Sequence, residues 1–303
     1  MKRVLLLSSL MFVMTLSISC SKSEKPVTGN PLLDEWNTEM GIPPFDKIKA
    51  EHYVPAFEAA IEMHNAEIEA IVTNTEEPTF ENTILALDNA GIDLARISLI
   101  FGMLSSSDLD SSMQKVQEYI VPVLDGHSNA IMLNDALFKR VKSVYDRRHS
   151  LGLDELQMRL TEKTYTKFVR SGALLNATDK ARLKEINTSL SSLSMRFGNN
   201  LLAENGAFSL TLTEEQVKGL PESVRQQARD KANSMGKSGY VFTLDKPSML
   251  PFLTYSDNRD LRRELYNGYL MRCNNDNEYD NKSLIDQMVR LRIEKAQLLG
   301  YDS

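Results

Sequence analysis

Basic charge is in short supply: 35 lysines and arginines stand against 41 aspartates and glutamates, a formal net charge of -6 and a sequence pI near 5.4. With no basic cluster to reverse that balance, a nucleic-acid surface is excluded as the main business of the chain. Cysteine is scarcer still, with only Cys20 and Cys273 in 303 residues. A disulfide framework is therefore ruled out, and if Cys20 is modified no intrachain bridge remains available. Cys273 reads as a packing thiol on a helix. Ten prolines, fourteen glycines and 7% aromatic residues are few for this length. Such a composition suits a mostly helical protein better than a β-sandwich. Catalytic signatures are missing as well. There is no GxSxG elbow, no GxxxxGK[ST] loop and no CxxC pair, and the four histidines, His52, His64, His127 and His149, contain no i, i+4 pair of the HExxH kind. The one strongly apolar run, Val4 to Leu16, is too short to span a bilayer.

That run has another use. Lys2 and Arg3 precede it and small residues follow it as far as Cys20, which is the pattern of an export signal over residues 1–19. The stretch from Leu16 to Cys20 resembles a bacterial lipobox in which Cys20 carries the lipid, although Ser17 holds the place three residues before the cysteine and Leu16 stands four before it. Residues 20–42 then supply the lipidated cysteine, a polar tether and a lead-in. The expected address is the bacterial cell envelope, with the membrane as a partner through the anchor.

With 42% hydrophobic and 25% charged residues, the remaining chain can bury a sizeable core. Apolar residues recur at three and four positions from Pro55 through Val72, a helix begun with proline in its first turn. Thr79 caps a second helix that Gly91 bends, and Pro122 kinks or splits a third. Asn134 caps a fourth, and Leu156 to Val169 mark another that ends near Ser171-Gly172. The clearest period belongs to Leu183, Ile186, Leu190, Leu193, Phe197 and Leu201, a core stripe on a helix starting near Thr178.

After Gly206 the period changes to two. Residues 207–212 and 240–244 predict two strands of one small sheet, joined by an excursion in which Thr213 and Gln216 have capping-box spacing and Pro221 and Gly236 bracket a helix. Pro247 and Pro251 predict a loop after the second strand, and Asp257 the cap of the next helix. A last helix runs from about Asn281 to a stop at Gly300. The fold class is thus mainly α with one small antiparallel β element.

The residues themselves offer no active site. His64 lies in an apolar stripe and reads as a satisfied core or boundary histidine, Glu51-His52 opens a helix, and the acidic pairs Glu76-Glu77 and Glu214-Glu215 suit first turns and helix dipoles. No position is assigned a catalytic, cofactor-binding or metal-ligating role.

Several stretches resemble the N-terminal part of the M3 family of zinc metallopeptidases, in the branch of peptidyl-dipeptidase (Dcp) and oligopeptidase A. They are Pro44 to Ile61, Glu76 to Gly91, Leu137 to Arg148, Phe168 to Leu175, Gly219 to Val224, Phe242 to Tyr266 and Asp280 to Ser303, collinear over essentially the whole mature chain. Most distinctive is PSMLPFLTYSDNR, from Pro247 to Arg259. The resemblance implies an N-terminal helical lobe over 43–250 and the incomplete start of the catalytic domain over 251–303. It also implies zinc on an HExxH helix, a glutamate general base, and dipeptides released from the C-terminus of unfolded oligopeptide substrates. The family's HExxH lies beyond Ser303, so none of its ligands is carried onto this chain. By itself the chain is expected to bind no zinc and cleave nothing, and the missing catalytic lobe becomes a partner. The alternative is a non-catalytic helical envelope lipoprotein acting as a peptide-binding or scaffolding module.

Overall fold

The structure, a computed structural model, describes residues 29–107 and 110–302. The expected export segment, Cys20 and the expected tether through residue 28 lie outside the described residues. The architecture is mainly α with one two-stranded antiparallel sheet.

Helix α1 (Ala50–Thr73) begins five residues before Pro55, so the proline sits inside the helix and not at its start. It removes one main-chain bond there. Tyr53, Ala56, Phe57 and Ala60 offset that loss by burial, and the Lys49 N–H donates to His52 Nδ1 at 3.0 Å as a start cap. Thr79 caps a π-helical turn, Phe80–Leu85, by accepting from the Asn82 N–H at 3.2 Å while its own N–H donates to Asn82 Oδ1 at 2.8 Å. The turn continues into α2 (Ala86–Asn89). Gly91, at φ +75°, then ends the run instead of bending it, and α3 (Ile92–Ser107) sets off in a new direction. Helix α4 (Ser111–Met132), capped by Asp110, carries Pro122 without being divided. Asn134 caps α5 (Asp135–Arg147), Asp154 caps α6 (Glu155–Arg170), and Asn176 caps α7 (Ala177–Ala207).

Two apolar clusters hold this part. In the first, α1, α3 and α4 meet around Phe57, Ile97 and Ile120, where the Phe101 ring lies edge-on to Tyr53 at 5.2 Å and to Phe57 at 5.6 Å. Each such fully buried side chain contributes on the order of 1.5–3 kcal/mol. In the second, Ile68 and Ile71 meet the π turn, α5 and Phe168. Arg140, 8% exposed, ties the connection from α1 to that turn. Its Nη1 donates to the carbonyls of Asn74 (2.7 Å) and Glu76 (3.2 Å), and its Nη2 to Asn82 Oδ1 (3.1 Å).

Beyond α7 the chain forms β1 (Leu210–Leu212) and β2 (Tyr240–Phe242), shorter than the predicted strands but in the expected pairing, with Leu210 opposite Phe242 and Leu212 opposite Tyr240. Between them lie a 3₁₀ turn (Glu215–Val217), where the Thr213 N–H donates to Gln216 Oε1 at 2.9 Å, and α8 (Glu222–Ser234). Gly239 precedes β2 at φ +90°, where a Cβ would come within 2.5 Å of the Leu212 carbonyl oxygen.

Pro247 and Pro251 do not make a loop: both lie in α9 (Lys246–Tyr255). Pro247 falls in the first turn, where a missing N–H costs nothing, and Pro251 removes a single bond that Met249 and Phe252 compensate by packing into the sheet cluster. The cap of α10 (Arg259–Leu270) is Asn258 and not Asp257; its Oδ1 accepts from the N–H groups of Asp260 and Leu261, both at 3.1 Å. Position 250 lies within α9, and one cluster holds Leu212, Val224 and Phe242 together with Phe252 and Leu265. Cys273 is in a turn after α10, at φ +56°, and not on a helix. The chain closes with α11 (Lys282–Leu298), laid along α7.

Candidate functional site

The most built-up concavity is a cavity of about 770 Å³ lined by residues of α1, α2, α3, α4 and α6. Its apolar wall comes from Leu87, Leu94, Leu124 and Ile131, with Phe168 at one side, while Ser98, Ser128, Thr164, Asp88, Lys163 and Lys167 supply polar groups. Two histidines meet there. His127 Nε2 and His64 Nδ1 are 2.9 Å apart with their rings edge to face, so one imidazole donates and the other accepts. Burial pushes both below the ordinary histidine range; nearby Glu67 pulls His64 partly back, and the charge of His64 lowers His127 further. Gly91 makes the pairing possible, because a Cβ at that position would stand 2.7 Å from His64 Cε1. Its N–H donates to Glu67 Oε2 at 2.7 Å, which fixes the turn against α1.

A second polar centre closes the far end of α7. Glu204, 8% exposed, accepts from the N–H of Cys273, from Asn275 Nδ2 at 2.6 Å and from Asn277 Nδ2 at 3.0 Å. Burial acts to raise its carboxyl, but these donors together hold it below the usual carboxylate range. The same burial, with Glu204 alongside, pushes the Cys273 thiol up to about 11, so it is a packing group and a poor nucleophile. A cavity of about 410 Å³ opens beside this centre, between Phe208, Leu244 and Gly268.

The third feature is a face without cover. Ile285 (48% exposed), Val289 (48%) and Ile293 (43%) form an i, i+4, i+8 stripe on α11. Tyr266 and Leu270 of α10 are similarly open.

Comparison with known proteins supplies the wider frame. Residues 252–303 match the sequence model for Peptidase family M3. The chain is 34% identical to the dipeptidyl carboxypeptidase of Salmonella typhimurium over 274 residues, covering 90% of this chain and 40% of the relative. It is 34% identical to the dipeptidyl carboxypeptidase of Escherichia coli over 276 residues and 33% identical to that organism's oligopeptidase A over 279, with the same shares of each chain. The chain is similar to members of peptidase family M3 along most of its length. It spans about two fifths of the length of the curated relatives it matches.

Zinc is the metal that the resemblance to family M3 implies, and the residues described do not form a site for it. Among them no three histidine, cysteine, aspartate or glutamate side chains gather closely enough to hold an ion. In the close imidazole pair, His127 Nε2 and His64 Nδ1 face each other instead of a shared ion, and Glu67 is engaged by the Gly91 N–H. Of the positions singled out from the sequence, Cys20 lies outside the described residues. Glu214 accepts from the Tyr240 hydroxyl and pairs with Arg225 at 3.3 Å, a surface contact without catalytic geometry. Sequence reasoning placed His64 correctly at a core boundary and missed its partner. Nothing in the spacing links two histidines 63 residues apart. Glu204 was missed for the same reason, since its donors arrive from a loop about 70 residues away. Among the described residues no helix is long and apolar enough to cross a membrane.

Proposed function

We propose that this chain is the helical, substrate-guiding portion of an envelope-anchored, zinc-dependent peptidyl-dipeptidase that releases dipeptides from the C-terminus of unfolded oligopeptides. The observation that carries the reading is the 34% identity to dipeptidyl carboxypeptidases sustained across 90% of the chain. Scattered identity over that length requires a shared helical scaffold, which a short motif does not. In this reading the metal ligands and the general base belong to a companion catalytic lobe, and the open stripes of α10 and α11 are where that lobe packs. The chain's own residues shape and wall the path of the peptide without touching the scissile bond.

Two proteins test the proposal: this chain alone, and this chain continued into a zinc-bearing lobe. Offered a peptide with a blocked N-terminus, the longer protein is expected to release dipeptides, seen by mass spectrometry, and to stop when a chelator removes the metal; the chain alone is expected to release none. An intact peptide after incubation with the longer protein overturns the reading, and internal cleavage alone moves it to an oligopeptidase. Anchoring at Cys20 rests on the pattern of residues 1–20. It predicts acyl label in the membrane fraction, lost on Cys20→Ala; label retained by the variant removes the anchor from the proposal.

A further inference from the structure

The mouth of the α1–α6 cavity carries an unusual edge. Arg159, Lys163, Lys167 and Arg170 follow one another along α6, and the two lysines line both the cavity and an adjoining surface depression. The neighbouring Glu162 is already paired with Arg148 at 3.2 Å. None of the ion pairs among the described residues includes any of the four cations. An uncompensated basic edge is out of character for a chain of net charge -6. It sits on the rim of a space of about 770 Å³ with one aliphatic wall, within the size range of small-molecule sites.

The walls narrow the class of occupant. They are helical except at the turn of Ala90 and Gly91, whose N–H groups donate to Leu87 O and Glu67 Oε2, so their main-chain groups offer little to the amides of a bound peptide. Ser98 Oγ donates to the Leu94 carbonyl at 2.7 Å, and one nitrogen of each imidazole is taken up by the other ring. An acyl chain asks for no such partners, whereas the lysine heads ask for an anion. Asp88, the carboxylate of the lining, is on α2 and not on the basic edge. We infer that this cavity binds a free long-chain fatty acid, its acyl chain among Leu87, Leu94, Leu124 and Ile131 and its carboxylate at Lys163 and Lys167. The site needs no peptidase activity, so its failure would leave the proposed function untouched, and the reverse also holds.

The test is displacement of a fluorescent fatty acid, cis-parinaric acid, from this chain by palmitate. Burial of each methylene strengthens binding roughly fourfold, so myristate, two methylenes shorter, is expected to bind about fifteenfold more weakly than palmitate. Lys163→Glu with Lys167→Glu, both at exposed positions, should weaken palmitate at least about tenfold while leaving hexadecanol nearly unchanged. Ser128→Trp, an exposed position on the cavity wall, should block both ligands without disturbing the fold. No displacement overturns the inference, as does palmitate binding that neither variant alters. Equal binding of acid and alcohol to the unaltered chain overturns the carboxylate assignment. A peptide with an apolar C-terminus that displaces the dye below the palmitate concentration replaces the acyl chain with a peptide.

Discussion

Two buried groups make opposite demands on the chain. The Tyr53 hydroxyl is enclosed, at 1% exposure for the residue, with no hydrogen-bond partner, and burial pushes its phenol up to about 12. A buried hydroxyl without a partner costs roughly 1–3 kcal/mol of desolvation that the ring's packing against Phe57 and Phe101 must outweigh. Tyr53→Phe keeps the ring and removes the cost, so it is expected to raise stability by about 1 kcal/mol in urea unfolding; a loss of similar size would mean that the hydroxyl has a partner. The His64–His127 pair predicts a pH dependence. Its imidazoles sit below 6.5 in the folded chain and titrate near that value when unfolded, so the unfolded state binds more protons in the interval between. The pair's contribution is complete above about pH 6.5 and is lost as pH falls toward the depressed folded values. Glu67, Asp88, Lys163 and Lys167 are the charged groups around the pair or its cavity, and of these Glu67 works against the effect on His64. Urea midpoints measured from pH 8 to 5 should fall more steeply for the natural chain than for His64→Gln/His127→Gln, and parallel slopes would clear the pair of responsibility.

At the scale of elements, local chemistry was legible wherever it was sufficient. Thr79 and Asn134 each cap where a short polar side chain precedes an apolar period, and the α7 stripe from Leu183 faces α4 and α11 as its spacing requires. What failed was the weight given to proline, expected only in a first turn at Pro55, as a kink or split at Pro122 and as a loop at Pro247 and Pro251. Pro55, Pro122 and Pro251 all lie inside helices, because one lost main-chain bond is smaller than the burial that Phe57, Ile120 and Phe252 gain from staying helical. The candidate site was illegible for a different reason: its histidines and its basic edge come from α1, α4 and α6, which only tertiary packing brings together. Arg140 is another such case. Its guanidinium is the partner of two loop carbonyls and of Asn82, so Arg140→Met would leave all three unsatisfied under a buried apolar side chain. A loss of roughly 2–4 kcal/mol is expected, with raised proteolysis between Asn74 and Asn82. Arg140→Lys should recover only part of it, since one ammonium does not span the three acceptors. Full recovery by lysine would assign the role to charge alone.

Across the whole molecule, apolar burial is uneven. Three clusters hold α1 to α6 and the sheet region, while α11 buries fully only Leu284 and is fastened to α7 mainly by polar contacts. Arg182 grips Glu294 with two bonds, at 2.6 and 2.9 Å, Lys295 donates to Asn187 at 2.6 Å, and Asn200 to Asn281 at 2.9 Å. Exposed ion pairs and amide bonds of this kind contribute on the order of 0.2–1 kcal/mol each, far less than burial of the three open isoleucine and valine side chains would add. Helix α11 should therefore be the first element to exchange its amide hydrogens, ahead of α1 and α5. Salt should speed that exchange by screening Arg182–Glu294. If a catalytic lobe covers Ile285, Val289 and Ile293 as proposed, the same amides become protected in the longer protein, and a dye that lights up on apolar surface binds less per molecule. The two readings separate cleanly. An α11 that exchanges slowly in the chain alone would mean that polar fastening suffices without a cover, and one that stays fast in the longer protein would send the lobe to another face.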